Sequence, residues 1–226
     1  MKKQAISAAE LLLTAFIWGV AFVAQSVGMD YIGPFTFNCV RSIIGGLVLI
    51  PLVVILGKKN RADKTAEEAK EYKKNTVIGG ICCGICLCVA SNFQQFGIMH
   101  TTVGKAGFIT ALYIIIVPIL GVFMKKRVAP IVWVSSVIAV IGFYLLSISG
   151  RVSINKGDIL VLICAVLFSV HILVIDYFSP KGEGVTISCI QFFTSGILCG
   201  ILMFLFANPK IKETISTERT FPETNG

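Results

Sequence analysis

Charge is scarce in this sequence. Only 14% of the 226 residues are Asp, Glu, Lys or Arg, and most of these sit in short stretches. Between them lie runs of about 20 residues with almost no charge, the length a hydrocarbon core demands of a helix. Hydrophobic residues make up 55% of the chain, against roughly 45–50% in a soluble domain, so a water-soluble fold is not the first reading. Also missing is the period-2 alternation of barrel strands, and an isolated strand would leave its backbone groups unpaired in lipid. The spans are therefore helices. Enzyme signatures are absent as well: the sequence has no Ser/His/Asp arrangement on an exposed loop, no phosphate-cradling glycine loop after a strand and no histidine pair at metal-ligand spacing. No catalytic residue, metal or cofactor is expected.

What is present is a series of seven apolar segments, at about residues 8–28, 35–56, 76–98, 106–124, 128–149, 157–178 and 185–207. The fold class this predicts is all-α, a polytopic membrane bundle of about seven transmembrane helices. Met1-Lys2-Lys3 ahead of an apolar run resembles a secretory signal in outline. No small-x-small cleavage site follows, and the run continues to spanning length, so it reads as the first span. All eight cysteines fall inside the segments, where they serve as small apolar packing residues. Cys83-Gly-Ile-Cys86 is formally a CxxC, but it lacks a second ligand pair and lies at lipid depth, so neither zinc nor redox chemistry is expected of it.

The net charge of +8 is distributed by loop and not gathered on one soluble face, which argues against a nucleic-acid partner. Loops on one side of the membrane, counted with the N-terminus, carry thirteen Lys and Arg; those on the other side, counted with the C-terminal tail, carry six, and Arg41 lies within a span. By the positive-inside rule the N-terminus is cytoplasmic and the tail lies outside, in a multi-pass protein of the cell membrane. The longest loop, 57–75, contains Thr65-Ala-Glu-Glu68, a capping-box spacing. It reads either as a short amphipathic surface helix or, more plainly, as a solvated basic linker.

Sliding the chain on itself by 150 residues aligns Trp18-Gly19-Val20 with Phe168-Ser169-Val170, Thr36 with Thr186, Cys39 with Cys189, Arg41 with Gln191 and Gly46 with Gly196. This predicts a five-helix repeat over 1–150, a second copy begun by two helices over 151–207, and a polar non-membrane tail at 208–226. An odd number of helices per repeat inverts the second copy in the membrane, and Arg41 and Gln191 then lie at mirrored depths.

Polar residues inside the spans are the functional candidates. Arg41 lies six residues into its helix, about 9 Å at 1.5 Å per residue, and a charge at mid-helix costs at least about 2.5 kcal/mol. It reads equally as a structural arginine bonded to helix-end carbonyls or as an anchor for an anionic substrate group or gate partner. Asn92 and Gln95 share a face at a similar depth and predict either a polar pocket or interhelical hydrogen bonds. Thr110 and Tyr113 share a face of the fourth helix, which Pro118 is expected to kink. His171 with Asp176 is a candidate proton-coupling pair, although five residues align poorly and a packing histidine is the simpler reading. Gly80-xxx-Gly84 predicts close helix approach.

Ala15-x-x-Trp18-Gly19 in the first helix, Arg41 after Pro34-Phe35 in the second, and Ala106-Gly-Phe-Ile-Thr110-Ala-Leu-Tyr113 running to Pro118 together resemble the EamA family of the drug/metabolite transporter superfamily. Gly157-Asp158 with Phe168-Ser169 resembles the start of that family's second domain. The resemblance covers about residues 8–207. It implies ten helices in two inverted halves around a central cavity for a small metabolite or drug, with Trp18, Arg41, Asn92, Gln95, Thr110, Tyr113 and Gln191 as candidate cavity residues. Two departures stand out: Lys125-Lys126-Arg127 follows helix four, where the family often has an acidic residue, and helices eight to ten are missing. The expectation is a C-terminally truncated transporter that is inactive alone. The alternative is a non-transporting subunit that completes its cavity as a homodimer, or an inert fragment.

Overall fold

The computed structural model describes residues 2–57, 65–125, 128–147 and 155–206. Met1, the basic segment 58–64, the 126–127 pair, the segment 148–154 that holds the expected repeat boundary, and residues 207–226 with the expected polar tail lie outside the described residues. Every regular element among them is helical: α1 (Lys2–Met29), α2 (Pro34–Gly57), α3 (Ala66–Ile98), α4 (Val103–Ala111), α5 (Tyr113–Phe123), α6 (Pro130–Ser147), α7 (Lys156–Phe178) and α8 (Gly184–Phe206), with a short 3₁₀ turn at Ser179–Lys181. Six helices, with α4 and α5 counted as one, are long and apolar enough to cross a membrane, and α6 adds a shorter apolar stretch. Seven spans therefore form a polytopic membrane bundle. Its polarity is that of a protein dissolved in lipid. Buried polar residues outnumber buried apolar ones, while Leu12, Phe16, Phe123 and Phe204 are among the many large apolar side chains on the surface.

The centre is built by α2, α3, α7 and α8. Between such helices no hydrophobic force acts in lipid, so close backbone approach must supply the dispersion energy. Gly80 and Gly84 do this for α3 against α8: a Cβ at Gly80 would sit 2.5 Å from Ile190 Cβ, and one at Gly84 would sit 2.5 Å from Thr194 Cβ and 2.8 Å from the Gln191 carbonyl oxygen. Gly80 meets Ile190 and Gly84 meets Thr194, so α3 and α8 run parallel.

The α2–α8 contact is antiparallel and reciprocal. A Cβ at Gly46 would lie 3.0 Å from the Phe193 ring, and one at Gly196 would lie 2.7 Å from Ile43 Cδ1. Those are the same two positions of the 150-residue register, exchanged between partners. Phe35 stacks on Phe206 with centroids 5.8 Å apart and meets Phe96 edge-on at 5.3 Å. The start of α2 and the ends of α3 and α8 therefore share one end of the bundle, hereafter the distal end. At the opposite, proximal end, Glu183 N donates to Thr76 Oγ1 at 3.0 Å and ties the α7–α8 turn to α3.

Two sequence expectations need correction. The 65–75 segment is not a linker: Thr65 caps α3, with Glu68 N donating to Thr65 Oγ1 at 3.4 Å and Thr65 N to Glu68 Oε2 at 3.0 Å. The helix runs from Ala66 without interruption to Ile98. Ala, Glu and Lys are strong helix formers, and no Gly or Pro intervenes before Gly79. The first ten residues extend the span by about 15 Å.

Helix four, in turn, is broken at Leu112 and not merely kinked at Pro118. There the bonding tightens to Leu112 N→Ile109 O at 3.2 Å and Ile115 N→Leu112 O at 3.0 Å. Pro118 removes the donor that the Ile114 carbonyl would receive and crowds that carbonyl. Ser136 Oγ of α6 lies 3.5 Å from the Ile114 oxygen, while its hydroxyl donates at 2.8 Å to the Val132 carbonyl of its own helix.

Candidate functional site

Near the distal end a polar cluster spans four helices. Arg41 lies seven residues into α2, about 10 Å along the axis. Its Nη1 donates to Gln25 Oε1 of α1 at 3.0 Å, and its Nη2 donates to Asn38 Oδ1 one turn earlier in α2, also at 3.0 Å. Asn38 Nδ2 passes the chain on to Asn92 Oδ1 of α3 at 3.1 Å. Asn92 Nδ2 in turn donates to the Cys88 carbonyl at 2.8 Å and lies 3.3 Å from Cys199 Sγ of α8. The Cys88 and Cys199 sulfurs are 3.5 Å apart. The Phe37 ring centroid is 5.6 Å from the guanidinium carbon, a cation–π contact that restrains one face of the group.

The balance of charge in this cluster is uneven. Gln25, Asn38 and Asn92 are buried, and Arg41 is half-buried. All of the arginine's hydrogen-bond partners are neutral amides, and no carboxylate of the described residues lies within salt-bridge distance of it. Amides orient a cation without neutralising it. The ion pair formed by Lys105 Nζ and Asp158 Oδ2, at 3.2 Å, links α4 to the first turn of α7 instead. There Asp158 also accepts from Thr101 and from Asn155 N, the latter at 3.1 Å.

Of the residues singled out from the sequence, Arg41 and Asn92 belong to this network. Gln95 is fully buried one turn farther along α3, and neither its Nε2 nor its Oε1 has a hydrogen-bond partner among the described residues; Ser91 Oγ shares that condition. Gln94 reaches Thr110 Oγ1 at 3.4 Å, which brings buried Thr110 beside the cluster's helix, whereas Tyr113 is half-buried beyond the break at Leu112. Gln191 is not at the distal site. Its Oε1 accepts from His171 Nε2 at 3.1 Å, in the proximal half of α7 and α8. His171 thus has Gln191 as its partner and Phe168 edge-on at 6.2 Å, while Asp176 lies exposed nearer the end of α7. Trp18 is 52% exposed on α1.

Gln25, Asn38, Cys88 and Cys199 are the members that sequence reasoning missed. Asn38 carried a signal, being three residues before Arg41 and hence on its face. Gln25 carried one as the sole amide in an apolar span after Gln4. The cysteines carried none. Taken together, the cluster offers one fixed positive charge, oriented amides and two thiols, a set able to bind and orient a polar or anionic group within a membrane protein.

Comparison with known proteins agrees with this architecture. Residues 6–148 match the model of the EamA-like transporter family. An uncharacterized transporter from Archaeoglobus fulgidus is 33% identical over 189 residues, covering 83% of this chain and 54% of the relative. The chain thus spans about half the length of the curated relative it matches. No solved structure gives a significant match. With well over half of its length matched by the family model, the chain belongs to the EamA-like transporter family, and through it to the drug/metabolite transporter superfamily.

Proposed function

We propose that this protein takes part in moving small metabolites or drugs across a cell membrane, by alternating access between two inverted repeats. The observation that carries the reading is the arginine-centred cluster joining α1, α2, α3 and α8 inside a bundle whose outer surface is apolar. An intramembrane ionisable residue is costly and marks a solute pathway more often than a packing contact. Family membership adds to this.

The repeat reading, 1–150 followed by the helices of 151–207, is supported by the reciprocal contacts Gly46–Phe193 and Gly196–Ile43. A two-fold axis in the membrane plane, passing between α2 and α8, generates such an exchange. Arg41 and Gln191 sit at equivalent depths from opposite ends, in keeping with that axis. The loop charges orient the proximal end toward the cytoplasm and the distal cluster outward.

Purified chain reconstituted in proteoliposomes, tested against a panel of radiolabelled metabolites and drugs, is the direct test. Saturable flux of at least one solute, lost in Arg41→Gln protein that still elutes as folded material, is expected. A flat response across the panel would sink the transport reading. Flux confined to a crosslinked dimer fraction would instead favour two copies sharing one cavity.

A further inference from the structure

We infer that Arg41 is the receptor for an anionic oxygen group, the carboxylate of a small soluble organic acid or amino acid. The assignment builds on the transporter reading for its purpose, although binding can be measured without flux.

The argument is one of charge and donor accounting. A guanidinium has five N–H donors; one on each terminal nitrogen is committed, to Gln25 Oε1 and to Asn38 Oδ1, so three remain. No carboxylate of the described residues is within ion-pair range to match the charge. A cation at this depth ordinarily pairs with an acid of its own protein. Here neutral amides hold it in place and Phe37 restrains one face, while no carboxylate of the described residues neutralises the charge. Planar, bidentate recognition of a carboxylate is the chemistry for which a pre-oriented guanidinium is suited.

The network also ties that charge to the rest of the bundle. Asn38 is shared between Arg41 and Asn92, and Asn92 contacts Cys199 of α8. Drawing the guanidinium toward an anion therefore strains or releases the contact between α2 and the α3–α8 pair. Ligand charge is in this way coupled to the helices that a two-repeat transporter must move.

The experiment is a thermal-shift titration of the protein in nanodiscs of neutral phosphatidylcholine. The probes are alanine, phenylalanine, lactate and benzoate, each beside its carboxamide, with wild type, Arg41→Gln, Arg41→Lys and Lys105→Gln compared. We expect at least one acid to stabilise wild type while its amide does not. Arg41→Gln should weaken that acid tenfold or more, Arg41→Lys should weaken it less because the charge survives without the fork, and Lys105→Gln should leave it unchanged. If Arg41→Gln does not fold, the ordering of wild type, Arg41→Lys and Lys105→Gln still decides. Equal response to acid and amide for every pair, or loss of binding with Lys105→Gln in place of the Arg41 variants, overturns the assignment. So does stabilisation that depends on Arg41 but arises only in phosphatidylglycerol nanodiscs, since the anion is then a lipid headgroup. Flux on the same preparations separates the two readings: acid binding without flux leaves the site standing and removes the transporter, whereas flux without acid preference does the reverse.

Discussion

Cys88 Sγ of α3 and Cys199 Sγ of α8 lie 3.5 Å apart, with the Asn92 amide within 3.5 Å of both. A disulfide requires about 2.05 Å, so a small shift of either side chain would join helices far apart in sequence. Mild oxidation of membranes with copper–phenanthroline should convert the pair to an intramolecular disulfide, read as a loss of two hydrogens in the mass of the peptide pair. Cys88→Ser or Cys199→Ser should each abolish it. Failure to crosslink under conditions that oxidise the partly exposed Cys39, Cys82 and Cys86 would mean that α3 and α8 are not held this closely in the membrane.

Asn38 is fully buried and bonded on both sides, to Arg41 and to Asn92. Asn38→Leu leaves buried Asn92 and half-buried Arg41 each short of a partner and should cost about 1–3 kcal/mol of stability. The coupling between Asn38 and Asn92 in a double-mutant cycle should be smaller, about 0.6–1.7 kcal/mol as for other interhelical bonds in membranes. Unfolding titrations in mixed micelles supply both numbers, and a coupling near zero would remove the Asn38–Asn92 bond from the account.

Glycine positions give a sharp contrast. At Gly84 a new Cβ meets the Gln191 carbonyl oxygen at 2.8 Å, which no rotamer change can relieve, whereas at Gly104 it meets nothing within 4 Å. Gly84→Ala should destabilise by about 1–3 kcal/mol through overpacking. Gly104→Ala, in α4, should be neutral or stabilising by up to about 1 kcal/mol from helix propensity. Thermal unfolding of the two variants side by side tests the α3–α8 approach, and equal effects would refute it.

Asp158 is buried and receives Thr101, Asn155 N and Lys105, while the Lys105 side chain is 29% exposed. Asp158→Ala removes a capping-box partner and the three hydrogen bonds this buried carboxylate receives from Thr101, Asn155 N and Lys105, so a loss of about 1–3 kcal/mol is expected. Lys105→Ala forfeits a partly solvated ion pair, about 0.2–1 kcal/mol. A larger loss for Lys105→Ala than for Asp158→Ala would show that the ion pair, and not the cap, joins α4 to α7.

Much of the fold was legible because lipid imposes a simple rule. Seven apolar runs of spanning length give the helices, and most of their ends agree with the structure within a few residues, as where Pro34 opens α2 and Asn155 caps α7, whereas α3, capped by Thr65, starts ten residues earlier than expected. The readings that failed are those where the rule is silent. A charged helix leaving the membrane resembles a linker in composition, so although the Thr65 capping box offered a helix start, its continuity with the α3 span was hidden. A proline predicts that a helix yields but not at which residue, so the interruption of regular bonding at Leu112 was hidden too.

The sequence by itself determined that this is a helical membrane protein and which residues are too polar for lipid. Those conclusions need only hydropathy, length and spacing. Only the tertiary structure decided that Arg41 joins Gln25, Asn38 and Asn92 while Gln191 joins His171. A polar side chain in a span must find a partner, but the face it turns and the helix it meets are set by where glycines let backbones approach. Those approaches join residues more than a hundred positions apart, such as Gly84 with Thr194 and Gly46 with Phe193.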